Sequence, residues 1–558
     1  MPDDMRDRLV RNFGNVIASG YFGGMGGLGL CLGMIECELN KILPCATHAV
    51  VWSECEVDSK KQLMLEAFTP EHAPKYLNDC IYSRLPDDVR IQIQKWTPSR
   101  EVLLPAKLQA NAKIKKVISK TYAERGHECN TAWCVKAHKV CPLEPNVDDP
   151  EWCRNVRLAA GGVPCFDVSS NGSREGDAGK SAALHHIWAE DIKHRKFSVA
   201  FAECTVLWDA EPMAQTIGAG HAGVEVVLSP PEIGDAVERR RRIVTYLNSE
   251  EAVVVRPLED FLKYFGGECR YNFNTLFSSQ DAAVNEEFER ACVGRVMPVG
   301  SDDWLDTLLP SERARREEYL CQIERDIALA KGMEGDPSVF DLEVTPGSRS
   351  RRSVGSHMGA NLFTMTSHGN IWHEHFQRSM TLEEWLGAHV VPTPTNPPRD
   401  LSLGPQAPDA LPVPCDYMHL VRTGMLHPNT LKSAVGNGWH IGCLTSWIMF
   451  ILASVEFGHT TLPPSMKSAV LTPPRKKRRQ YASPQEMKAE EMDEASDGTG
   501  STLAPQQTCR ASPSTDSDSS SPWLQGTSSA CFFSKQPIEI EDSPVKAGSV
   551  TLPGSWLR

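Results

Sequence analysis

From Asn15 to Asn248 short apolar runs alternate with helical patterns, and this alternation limits the fold more than any other feature. The strand-like runs are Asn15–Ser19, His48–Ser53, Val156–Ala160, Ser198–Glu203, Gly223–Leu228 and Arg242–Leu247, with helical patterns at Ser59–Ala67 and Ala182–His194. Such a succession predicts an α/β fold, a parallel sheet with helices on both faces. An insertion, Pro86–Trp152, interrupts it. From Ser249 to about Met358 the periodicity weakens, apart from a helical stretch at Glu312–Ala330 and a basic loop at 348–352, which predicts a second, smaller domain. Pro392–Pro414 reads as a proline-rich surface excursion, and an apolar helix at Gly442–Val455 returns to core composition.

At 558 residues the chain has room for two or three domains, and 41% hydrophobic with 23% charged residues makes most of it globular. Eighteen cysteines are too dilute for a disulfide scaffold, and Met1-Pro2-Asp3-Asp4 is no secretory signal, so reduced thiols are expected. The uncharged segment between Arg11 and Glu36 is long enough to cross a bilayer, but its clustered glycines favour a strand, a loop and a helix. A net charge of −13 argues against a nonspecific nucleic-acid coat and leaves local basic clefts open.

Phe22-Gly23-Gly24-Met25-Gly26-Gly27 lies between a strand and a helix, where glycines let backbone amides approach a ligand. Alone it is equally a flexible loop. About thirty residues on, the next strand ends in Glu54-Cys55-Glu56-Val57-Asp58, where a carboxylate can accept hydrogen bonds from ribose hydroxyls or simply favour a helix N-terminus. Together they point to a nucleoside-containing cofactor. In Pro164-Cys165-Phe166-Asp167 a thiol follows a proline at a strand end. Glu203 ends the next strand, and the run Glu238–Arg242 leads into another. A lone buried cysteine is usually structural. A thiol, a carboxylate and arginines at strand ends on one side of a sheet favour a nucleophile.

These motifs, in this order, resemble the cytosine carbon-5 DNA methyltransferases over most of residues 15–250 and 363–455. The glycine loop is similar to the family's F-x-G-x-G-G, which implies cofactor contacts at Phe22, Gly24, Gly26 and Gly27. Glu56 resembles the ribose-binding acid, with Glu54 its rival, and Asp79 resembles the adenine contact. Pro164-Cys165 resembles the nucleophile motif, Glu203 the E-N-V glutamate, and Arg240 and Arg242 the arginines of Q-x-R-x-R. Arg378–Glu384 is similar to R-x-L-T-x-x-E, and Asn437 to the G-N motif that returns to the cofactor.

The resemblance implies a Rossmann-like S-adenosylmethionine-dependent sheet: a catalytic domain over 1–248 (insertion about 86–152), a target recognition domain over 249–375 and a return over 376–462. It also implies base flipping, attack by Cys165 on carbon 6, protonation of ring nitrogen 3 by Glu203, and contacts of Arg240 and Arg242 with base and phosphate. Four slots depart from the pattern: Phe166 for glutamine, Val168 for phenylalanine, Cys204 for asparagine, Glu238 for glutamine. Gly20 stands where a first-motif aspartate is usual, and the missing asparagine is expected to loosen the nucleophile loop.

Cys129, Cys134, His138 and Cys141 form either a zinc site or a chance cluster in a cysteine-rich chain. Residues 463–558 are too poor in apolar side chains for a core and read as a disordered tail. Its Pro473-Pro474-Arg475-Lys476-Lys477-Arg478-Arg479 is solvated charge or a nuclear import signal, the latter predicting import partners at Arg475–Arg479 and a nuclear location. Ile538–Asp542 is a weak candidate for adding a strand to a partner such as a ubiquitin-like modifier. The expected function is DNA cytosine-5 methylation; RNA methylation and a catalytically silent nuclear binding protein are the alternatives.

Overall fold

A computed structural model describes residues 1–42, 48–99, 101–145, 156–169, 172–268, 273–328, 337–344, 353–355, 361–366, 369–393 and 415–458. The basic loop at 348–352, the tail with its Arg475–Arg479 run, Ile538–Asp542 and most of the proline-rich excursion lie outside the described residues.

Nine strands form the main sheet: β1 Val16–Tyr21, β2 Val50–Cys55, β3 Tyr76–Asn78, β4 Thr131–Cys134, β5 Lys139–Pro142, β6 Val156–Gly162, β7 Val199–Thr205, β8 His221–Leu228 and β9 Arg241–Asn248. Their order is β5-β4-β3-β2-β1-β6-β7-β9-β8. The sheet is doubly wound: the chain moves outward from β1 through β2 to β3, then returns to β6 on the other side of β1. The core from β3 to β7 is parallel, as the alternation predicts. The all-parallel expectation fails at both edges. β9 inserts antiparallel between β7 and β8. The insertion supplies two helices, Asp87–Trp96 and Leu104–Arg125, and the antiparallel hairpin β4–β5 that extends the sheet beyond β3.

β1 and β7 are buried at nearly every position, which fits strands covered on both faces. One face packs on Gly27–Ile42 and Ile441–Ser454, where Trp447, Ile448 and Ile451 are fully buried. The opposite face packs on Ser181–Arg195 through Ile187, Trp188 and Ile192. There the end of β1 is fixed by charge. Tyr21 donates to Asp191 at 2.6 Å, and the same buried carboxylate pairs with Arg84 and Arg195. Breaking one member of such a set leaves an uncompensated buried charge.

Beyond β9, helices Asp281–Cys292 and Pro310–Ala328 accompany a small sheet of Pro337–Asp341, Ser353–Gly355, Ile371–His373 and Arg378–Ser379. Arg378 grips Glu384 with two hydrogen bonds of 2.7 and 2.8 Å, while Thr381 and Glu384 form a capping box at Leu382–Gly387. The R-x-L-T-x-x-E resemblance is thus a structural knot here. Among the described residues no helix is long and apolar enough to cross a membrane.

Candidate active site

Three loops leave the C-terminal ends of adjacent parallel strands, where doubly wound sheets bind ligands. The first follows β1. Phe22 and Gly24 have φ of +58° and +56°, and Gly26 has φ of +81° with its α-carbon against the rings of Phe68, so no larger side chain fits at Gly26. Glu56, at the end of β2, holds this loop: its carboxylate accepts the N–H of Gly24 at 2.7 Å and of Asp58 at 2.8 Å. Burial pushes the Glu56 carboxyl up, against the pull of Lys61 and these two N–H groups. Asp79, following β3, keeps one buried oxygen without a hydrogen-bond partner among the described residues.

The C-terminal segment closes over this loop. Tyr417 donates to the carbonyl of Met25, Trp439 lies against Gly27 and Gly162, and Gly438 sits beside Met25. The side chain of Asn437 is exposed and turned back toward Ser433 at 3.4 Å, so the segment meets the loop through Gly438 and Trp439.

The second loop carries Pro164 and Cys165. The Cys165 carbonyl accepts the N–H of Val168 and Ser169 at 3.0 and 2.8 Å, so the thiol sits on a tight turn. The Pro164 carbonyl meets the half-buried ring of His185 at 2.9 Å. Asp167, which the sequence motifs did not single out, anchors the turn. Its carboxylate accepts the backbone N–H and hydroxyl of Ser181 at 2.6 and 2.8 Å and the Ser173 hydroxyl at 2.9 Å, placing negative charge near the N-terminus of Ser181–Arg195. The insertion braces the same loop. Lys107 pairs with Glu175 at 2.6 Å, Lys115 pairs with Asp177 at 2.9 Å, and Asn111 donates to the carbonyls of Asp177 and Gly179.

The third element is β7, where Glu203 pairs in register with Gly162 and its carbonyl accepts the N–H of Val163. Burial raises the Glu203 carboxyl, with Arg241 and Arg239 pulling the other way. The Cys165 thiol is also raised, first by burial and then by Glu203, against Arg241 and Arg239. Burial thus works on both groups in the same direction, favouring the protonated forms, while the two arginines oppose it.

The arginines differ from the motif expectation. Thr205 pairs with Arg241 and Cys204 with Arg242, so Arg241 lies diagonally across from Glu203 on one face, at 3.2 Å. Arg242 points to the other face, donating to the Trp208 carbonyl and pairing with Glu225 at 3.1 Å, and Arg240 is exposed before the strand. Side-chain alternation in a strand thus puts Arg239 and Arg241, rather than Arg240 and Arg242, with Glu203 and Cys165. Arg239 is buried and donates to the carbonyls of Gly436 and Gly438, tying β9 to the segment over the glycine loop.

The zinc expectation is corrected. Cys134 and Cys141 are buried in the β4–β5 hairpin and Cys129 in the helix-packed core, while His138 is exposed at the hairpin turn with φ of +50°. Among the described residues no three His, Cys, Asp or Glu side chains gather to hold a metal.

No protein-family model and no curated protein matches the chain. In structure it is similar to solved methyltransferases. A prophage-encoded E. coli protein described as a DNA modification methyltransferase matches at 11% identity, 76% of this chain, 98% of that one and a TM-score of 0.34. S. pombe Dnmt2 methyltransferase matches at 10% identity over 78% of this chain and 98% of its own, TM-score 0.35. The Entamoeba histolytica methyltransferase EhMeth matches at 11% over 78% and 97%, TM-score 0.30. Scores of this size do not define a family, and the chemistry has to be read from the residues.

Proposed function

We propose that the protein is an S-adenosylmethionine-dependent methyltransferase acting on carbon 5 of cytosine in DNA. The observation that carries the reading is the meeting of Cys165, Glu203 and Arg241 at neighbouring strand ends, beside a glycine loop held by a carboxylate. The cofactor fits this crevice: the tight turn at Gly26 and the acceptor oxygen of Asp79 that is unpartnered among the described residues suit a nucleoside carrying hydrogen-bond donors. Glu56 and Asp79 would hold its ribose and base, with Phe22, Gly24, Gly26 and Gly27 around it. When bound it supplies an electrophilic methyl group.

The chain's own residues do the remaining work. A flipped cytosine brings carbon 6 to Cys165. The thiol gives its proton to solvent, a step that Arg239 and Arg241 favour electrostatically, and the sulfur bonds to carbon 6. Glu203 gives a proton to ring nitrogen 3 as charge builds there, which leaves carbon 5 nucleophilic and able to take the methyl group. Arg241 stays beside the carboxylate that forms. Loss of the carbon 5 proton to a base then breaks the sulfur–carbon bond, frees Cys165 as thiolate, and returns the ring nitrogen 3 proton to Glu203. On this reading the 249–375 region serves target recognition and the basic run at Arg475–Arg479 serves nuclear import, with DNA in the nucleus as the proposed substrate.

The test is covalent trapping on DNA and on RNA containing 5-fluorocytosine, with S-adenosylmethionine, against Cys165→Ala. An adduct with DNA, lost in the variant, is expected. An adduct with RNA alone reassigns the substrate, and cofactor binding with no adduct on either polymer overturns the enzyme reading in favour of a silent binding protein.

A further inference from the structure

Glu54 is a buried carboxylate without an answering donor among the described residues. It lies on β2, is 1% exposed, and neither oxygen has a hydrogen-bond partner there. The nearest charge that acts on it is a second carboxylate, Glu56. A buried charged or polar group without partners costs several kcal/mol, roughly, so the group is kept either neutral or for a partner that arrives from outside.

Its position says which partner. The side chain crosses to the end of β1 and rests on Gly20: a β-carbon there would lie 1.8 Å from one Glu54 oxygen and 2.3 Å from the other, and one at Gly23 would lie 2.9 Å away. The carboxylate thus occupies the volume that a side chain at Gly20 would fill, at the threshold of the glycine loop. Glu56 is already committed to the N–H groups of Gly24 and Asp58, one on each oxygen, whereas both Glu54 oxygens are without a partner among the described residues. Of the cationic groups on S-adenosylmethionine, the sulfonium donates no hydrogen bond and the α-ammonium donates three.

We infer that Glu54 is a cofactor-binding residue that takes the α-ammonium group of S-adenosylmethionine, supplying from β2 a carboxylate for which Gly20 on β1 leaves the room. This rests on the cofactor reading above. Burial and Glu56 push the free carboxyl up to about 8, so near neutrality the empty site holds a proton and binding an ammonium releases it.

The test is calorimetric, on the full chain, with two ligands: S-adenosylmethionine and 5′-methylthioadenosine, which lacks the aminoacyl part. Glu54→Gln keeps the shape and is expected to weaken S-adenosylmethionine binding by about tenfold or more. It should leave 5′-methylthioadenosine affinity unchanged and abolish the proton release seen at pH 7 in buffers of different ionisation heat. The double variant Gly20→Asp/Glu54→Ser, which returns a carboxylate to the same space from β1, is expected to recover affinity for S-adenosylmethionine. Wild-type protein that binds neither ligand sinks the cofactor reading itself. Wild-type binding to both, with Glu54→Gln indistinguishable or equally weakened toward both, overturns the role of Glu54 alone.

Discussion

Asp167→Ala isolates how the nucleophile is held. Asp167 is 4% exposed, and its carboxylate accepts three hydrogen bonds, two from Ser181 and one from Ser173. A hydrogen bond to a charged acceptor is worth about 1.5–3 kcal/mol, and removing the acceptor also strands buried donors. The two Ser181 bonds converge on one oxygen and are not independent, so the loss comes to roughly 3–5 kcal/mol instead of the full sum. It falls on the turn at residues 164–169, because the backbone bond from Gly176 to the Asp167 carbonyl survives. If attack needs the ordered turn, adduct formation slows by roughly two to three orders of magnitude, at about 1.4 kcal/mol per tenfold.

The assay is single-turnover trapping on 5-fluorocytosine DNA, paired with hydrogen exchange of the amides at Val168, Ser169 and Gly176. Asp167→Asn, which keeps the shape and turns one donor toward the serines, should fall between wild type and alanine. Faster exchange with an undiminished trapping rate refutes the idea that order in this turn limits attack. Unchanged exchange refutes the anchoring role.

Arg241→Ala should slow trapping by about tenfold or more, since it removes a cation beside Glu203 and Cys165, whereas Arg240→Ala and Arg242→Ala should alter it by less than about threefold; the reverse ranking restores the motif assignment. Burial lowers both His185 and His186 to about 4, so the unfolded chain takes up their protons first. Their contribution is complete above the ordinary histidine range and is lost as pH falls from about 6.5 toward 4. The urea midpoint should drop over that window, and less steeply in a His185→Gln/His186→Gln variant; equal slopes would show that other groups carry the effect. Lys107→Ala, remote from any base, should slow trapping by about tenfold through Glu175, and reversing the pair as Lys107→Glu/Glu175→Lys should recover part of the rate; unaltered trapping in Lys107→Ala dissociates the insertion from the loop.

Apolar runs of strand length made β1, β2, β6, β7, β8 and β9 legible to within a few residues; all but the edge strand β8 are largely buried, so their composition leaves little choice. Which neighbours they take was not legible. The antiparallel entry of β9 beside β7 depends on pairing across the sheet, and the same pairing decides which arginines face Glu203. A run of four arginines carries no periodicity of its own, so only the register reveals the face. The hairpin β4–β5 was hidden for a different reason: its cysteines looked like metal ligands when their burial is what the hairpin needs. Asp167 is one acid among many until the fold brings Ser173 and Ser181 to it, and Lys107 lies 68 residues from its partner Glu175.

The departures from the resembling pattern are where a decayed site and a working one differ most. Loss of the asparagine at Cys204 should loosen the turn, yet the turn is bound from the opposite side by Asp167 and by three residues of the insertion helix, Lys107, Asn111 and Lys115. Gly20 lacks a carboxylate, and Glu54 delivers one to the same space from the next strand. Arg240 and Arg242 turn away, and Arg239 and Arg241 face the thiol side. For the carboxylate and the arginines the chemical group is present while the position supplying it moves by one strand or one residue, and the nucleophile turn is held by other contacts. Random decay removes groups without such replacement, and it quickly converts a buried unpartnered carboxylate to something apolar, since that change stabilises the fold. Glu54 costs the empty fold stability, and a bound ammonium would offset that cost.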